Sequence, residues 1–163
     1  MLIAHLPAAW LLTRRLRGDN RFRWLGLVAG VLPDLDMVRF YLVDDRQFVH
    51  HSYWTHLPYC WAMLAAAWFI VAAARRSTAA RAAGTFFFAN ILLHLLLDTV
   101  VGKICWLAPF EDRGFALFAV PSGHSFWVAN FVLHWSFVFE LAIVLWAAWE
   151  FATRRRSAWP APC

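Results

Sequence analysis

The segment Ile91-Leu92-Leu93-His94-Leu95-Leu96-Leu97-Asp98, "ILLHLLLD", places a histidine and an aspartate four residues apart in a run of leucines. Such a run buries itself in a protein core or a bilayer, where an unpaired charge costs several kcal/mol or shifts its pKa until it is neutral. On a helix, residues i and i+4 share a face, so His94 and Asp98 can converge on one ligand. A private hydrogen bond between the two that packs the bundle is the plainer alternative. The apolar run around them, Ala82 to Val101, has the length of a membrane helix and also contains Asn90.

Working outward, two further apolar runs have comparable lengths. Leu57 to Ala74 is uncharged, and Ser125 to Trp149 carries only Glu140. About 20 residues of helix cross a hydrocarbon layer of roughly 30 Å. Near the start, Met1–Thr13 and Trp24–Leu32 are apolar but short, and the basic segment Arg14–Arg23 joins them. The positive charges follow the first apolar stretch, the reverse of the order in a secretory signal peptide.

Composition agrees. Of 163 residues, 62% are hydrophobic and 15% charged, against roughly 45–50% and about 25% in soluble domains. The expected fold is all-α: a polytopic membrane bundle of about 4–5 helices forming one domain over 1–156, with a tail at 157–163. Cys60, Cys105 and Cys163 show no framework or metal-binding spacing.

The formal charge of +5 does not point to nucleic acid, because 11 of the 15 basic residues fall into three short clusters: 14–23, 75–81 and 154–156. Read as topology signals, they place the amino-terminal basic loop, the Leu57–Ala74 turnaround and the carboxyl terminus on the cytoplasmic side. His5, Asp34, Asp36, His56 and Asp98 then fall at the opposite ends of their helices, with His50 and His51 in the outer loop.

In "GVLPDLDM", Pro33 disfavours helix at Leu32 and removes an N–H, so Asp34 and Asp36 flank Leu35 at a helix end. Two carboxylates so spaced can both ligate a metal, or divide into ligand and general base. In "HHSYWTHLPY", His51 and His56 bracket Thr55 just before an apolar helix. Imidazoles combined with carboxylates suit zinc, manganese or iron. His134 and Glu140, six residues apart, lie on different faces of the last helix. His134 is a candidate to support a ligand or pack helices, and His124, at the outer mouth, is a candidate substrate contact or additional ligand.

The ordered set His5, Gly30-Val31-Leu32-Pro33-Asp34-Leu35-Asp36, His51-Ser52-Tyr53-Trp54-Thr55-His56, His94-x-x-x-Asp98 and Leu107-Ala108-Pro109-Phe110 resembles the YdjM-type family of small, inner-membrane-bound metal-dependent hydrolases. The chain departs from that pattern at Ser52-Tyr53, where the family has Arg-Gly, and at Leu57, where serine is common. No arginine contact to phosphate is therefore carried over. A fainter likeness, to helical zinc-dependent phospholipases C, favours phosphodiester or lipid substrates over peptides.

The expectation is a hydrolase of the bacterial inner membrane, multi-pass, holding a divalent ion at the non-cytoplasmic face. Zinc comes first, with manganese or iron as alternatives. His51, His56, His94 and Asp98 are the first ligands, Asp34 and Asp36 are ligand plus base, and His5 is a further ligand. The substrate is a membrane lipid or lipid-linked phosphoester. A non-enzymatic membrane protein with a structural His/Asp cluster, and a proton or metal-ion transporter, are the competing readings.

Overall fold

The computed structural model describes residues 3–16, 20–47 and 50–157, apart from the side chains of residues 50 and 154–157. Arg17, the His50 side chain, the third arginine cluster's side chains and residues 158–163 therefore lie outside the described residues. The fold is all-helical: α1 (His5–Arg15), α2 (Arg23–Ala29), α3 (Asp36–Leu42), α4 (Pro58–Ala74), α5 (Thr78–Asp98), α6 (Trp127–Val132) and α7 (Phe137–Ser157). Short 3-10 turns precede α2, α3 and α4. Among the described residues the only β pairing is an isolated antiparallel bridge between Ile104 and Phe115.

Helix α5 is the centre of the bundle and packs against α1, α2 and α4. Its start is set by Ser77, whose hydroxyl accepts the Ala80 N–H at 3.1 Å and caps the first turn. At 21 residues and 1.5 Å per residue, it is about 30 Å long. It is the one helix among the described residues long and apolar enough to cross a membrane. Helix α4, opened by Pro58 at its first turn, is a shorter apolar helix of 17 residues. A left-handed Arg76 (φ 49°) turns the chain from α4 into α5, with the Ser77 N–H returning to the Ala72 carbonyl at 2.9 Å.

Ala29, Trp61, Ile91 and Leu95 form the buried core, with Leu32, Phe87, Phe88 and Trp106 packed around it. Where α2 crosses α5, a Cβ on Gly26 would meet Thr13 Oγ1 at 2.3 Å and Asn90 Nδ2 at 2.7 Å. Glycine is what allows that approach. Asn90, the polar residue in the middle of α5, donates to Thr13 Oγ1 (3.1 Å) and to Phe86 O (2.8 Å), so its place in an apolar run is structural. Meanwhile Met63, Leu64, Ile70 and Val71 of α4, with Leu145 and Trp149 of α7, face outward. An apolar exterior on this scale is not that of a monomer in water.

Two expectations change: the described residues form seven α-helices rather than about 4–5, and one long apolar run is split. The run Ser125–Trp149 is broken at 133–136 into α6 and α7. The His134 ring accepts the Ser136 N–H (3.4 Å) and pairs with the Ser136 hydroxyl (2.8 Å), so local side-chain bonds compete with the helical ladder. The two amino-terminal helices are short, as expected, at 11 and 7 residues. Helix α7 lies alongside α1 in the same direction, since Glu140 bonds the Ile3 N–H (2.7 Å) and Glu150 pairs with Arg15.

Candidate metal centre

Four separate parts of the chain deliver side chains to one point. His5 comes from the first residue of α1, Asp34 from the 3-10 turn that Pro33 opens, His56 from the turn before α4, and His94 with Asp98 from the last turns of α5. His5, His56, His94 and Asp98 are all buried, at no more than 4% exposure.

Asp98 is the hub. Its Oδ1 lies 3.1 Å from His5 Nε2, and its Oδ2 lies 3.1 Å from His94 Nε2, 3.4 Å from His56 Nε2 and 3.9 Å from His51 Nε2. Asp34 Oδ1 lies 3.6 Å from His94 Nε2 and 3.9 Å from His56 Nε2. The His5 and His94 rings stack with centroids 3.9 Å apart. Two ligands on a tetrahedral cation, with bonds of about 2.0–2.1 Å, stand about 3.4 Å apart. The spacings here bracket that value.

The orientation of the rings is more telling than their proximity. His94 Nδ1 is 2.9 Å from the Gly30 carbonyl, which can only accept, so Nδ1 carries the hydrogen. A neutral His94 then turns the lone pair of Nε2 towards the Asp98 and Asp34 carboxylates, and that buried atom makes no hydrogen bond among the described residues. His56 repeats the arrangement. Its Nδ1 donates to Asp36 Oδ2 at 2.8 Å, and its Nε2 faces Asp98 and Asp34. Ring nitrogens aimed at carboxylate oxygens need a positive charge between them, a proton or a metal ion, so the donor set fits a cation. An outer carbonyl or carboxylate that fixes the tautomer of a ligating imidazole is a common feature of metal sites.

With no cation in place, burial lowers the pKa of His56, but the Asp36 and Asp98 carboxylates outweigh it and raise the group to about 9, so Nε2 then carries a proton that a metal ion would displace. The site thus concentrates negative potential on this ring.

The expected residues separate into distinct places. His5, Asp34, His94 and Asp98 have donor atoms within 4.8 Å of one another, and so do His51, His56 and Asp98. Either group can hold a metal ion. Asp36, by contrast, meets His56 at Nδ1 and also accepts the Thr55 hydroxyl, so it sits behind the imidazole while Asp34 sits in front. His124 is exposed and bonds Asn130 through its backbone. His134 belongs to the α6–α7 turn.

Several contributors carry no sequence signal of their own. Gly30 acts through its carbonyl. Gly102 lies against the ring of His51, where a Cβ would come within 2.4 Å of Cε1. Glu140, buried in α7, holds the backbone of Ile3 two residues before His5. Arg46, in the loop after α3, lines a cavity of about 540 Å³ that also reaches Asp34, His51 and Asp98. The other walls of that cavity are largely apolar, among them Phe40, Val101, Trp127 and Phe131.

Fold and site together define an all-helical protein built around a buried histidine–aspartate cluster able to hold a metal ion. The family described as YdjM inner membrane protein matches residues 1–159, and the chain belongs to that family. The resemblance read between His5 and Phe110 thus extends over nearly the whole chain. No curated protein and no solved structure matches it.

Proposed function

We propose that this protein is a membrane-embedded, metal-dependent hydrolase, with zinc as its first-choice divalent ion. Its substrate is a lipid or lipid-linked phosphoester at the non-cytoplasmic face. The observation that carries the reading is the convergence of the His94 and His56 Nε2 atoms on the Asp98 and Asp34 carboxylates beside an apolar cavity. A pair of groups that merely packs helices needs neither the inward ring nitrogens nor the cavity.

A divalent cation held there supplies Lewis acidity, polarising the scissile group and easing deprotonation of water. The chain's own residues do the rest. Gly30 and Asp36 hold the two imidazoles in register. Asp34, 37% exposed and on the cavity wall, is the carboxylate placed to accept a proton from water. Phe40, Val101, Trp127 and Phe131 take the apolar part of the substrate and keep bulk water out. Arg46, which makes no ion pair with any described residue, meets the phosphoester's negative charge. It offers by tertiary placement the cation that Ser52-Tyr53 lacks.

In the membrane, α4, α5 and α7 form the crossing elements, with the carboxyl terminus in the cytoplasm. The centre occupies the end of the bundle formed by the start of α1, the start of α4 and the end of α5. The Arg14–Arg15 and Arg75–Arg76 pairs occupy the other end. Elemental analysis of detergent-purified protein tests the reading. Stoichiometric metal is expected, lost in Asp98→Asn together with cleavage of phospholipid phosphoesters. Metal-free protein whose stability is unchanged in Asp98→Asn would end the proposal.

A further inference from the structure

The geometry points to a two-cation centre in which Asp98 is the shared bridging ligand; this rests on the metal reading above. Six side chains converge: His5, Asp34, His51, His56, His94 and Asp98. That is more than one catalytic cation accommodates, because a catalytic zinc takes three protein ligands and keeps a position open. The donors fall into two sets that overlap only at Asp98. Two ligands of one cation stand no farther apart than twice the bond length, about 4.2 Å. The donor atoms of each set lie within 4.8 Å of one another, so each set closes on a tetrahedral cation once its widest pairs draw together by up to about 1.4 Å.

Asp98 is built to serve both sets. Its Oδ1 is approached by His5, and its Oδ2 by His56 and His51 as well as His94. Oδ2 is reached by both sets, through His94 on one side and His51 and His56 on the other, so the carboxylate can bridge two cations through that oxygen or through both. Paired catalytic cations stand about 3.5–4 Å apart, a span one carboxylate can bridge.

The two sets also differ in character. His5, His94 and Asp98 surround the first cation, with Asp34 as a fourth group that also fronts the cavity and can release to take a proton. His51, His56 and Asp98 supply three ligands, which leaves a position open. His51 is 20% exposed and lines the cavity, as Asp34 of the first set does at 37%. Both cations therefore border the cavity, and the three-ligand one has the open position for substrate. His5 and His94 anchor the other.

The test is metal stoichiometry on the full-length chain in detergent, stripped, reloaded with zinc and freed of excess. Wild-type protein is expected to retain two equivalents. His51→Ala should retain one and keep the wild-type helical signal. Manganese-loaded wild type should give a spin-coupled resonance spectrum, a readout that needs no variant to fold. One equivalent in wild type, with an uncoupled manganese spectrum, overturns the two-cation proposal and leaves a one-cation hydrolase standing. Two equivalents retained in His51→Ala overturn the assignment of the sets. No metal in wild type overturns both this proposal and the function it rests on.

Discussion

Asp36 and Asp34 look interchangeable on paper, two carboxylates on either side of Leu35. Their contacts separate them. Asp36 accepts from His56 Nδ1 and from Thr55, while Asp34 faces His56 and His94 at Nε2. Asp36→Asn removes the charge behind His56 without touching the inward donors. It should weaken zinc binding by about 10–100-fold, the usual cost of losing an outer-shell partner, with thermal unfolding close to wild type. Isothermal titration on stripped protein checks this; unchanged affinity would return Asp36 to the surface. Gly102 makes a second prediction at this scale. A methyl group there collides with the His51 ring, so Gly102→Ala should displace that ring and lower metal content while leaving helicity intact. Full metal retention would show that His51 contributes no ligand.

Among the elements, α5 does the most. One face of it carries Asn90, His94 and Asp98, all buried, and its neighbours reach those groups only because they lie close. Gly26 sets the closeness between α2 and α5. Gly26→Ala should force the two helices apart and cost about 1–3 kcal/mol, as overpacking generally does. Denaturation in detergent should show it as a lower midpoint, and stability equal to wild type would mean the crossing is looser than it looks. The same helix was the most legible part of the sequence, because its length and the i, i+4 pair are local properties. The break between α6 and α7 was not legible. An apolar run with one histidine reads as continuous helix, and the bonds between His134 and Ser136 form only once the chain turns.

At the scale of the whole molecule, the organisation is polar. Imidazoles and carboxylates collect at one end, and the arginines of the amino-terminal loop and of the α4–α5 turn collect at the other. In the proposed topology the arginine end lies in the cytoplasm, following the positive-inside rule. A fluorescent reporter fused after Arg156 should therefore be bright, and a phosphatase reporter at the same point inactive. The opposite pattern would invert the topology and move the centre to the cytoplasmic side. A single helix meets the length requirement for crossing. The bundle's exposed apolar surface on α4 and α7 is the second sign, independent of length, that lipid surrounds it.

Composition and spacing by themselves determined that this chain is helical and apolar and which residue types gather in its polar cluster. The inner-membrane family followed from the resemblance of its ordered motifs. These properties are local or additive, so they survive without knowledge of the fold. Only the tertiary structure decided that Asp98 is the hub, that Asp36 stands behind His56, and that Gly30, Gly102, Glu140 and Arg46 take part. The reason is physical: which nitrogen of an imidazole faces inward depends on an acceptor supplied by a distant part of the chain, and that acceptor arrives only when the helices pack.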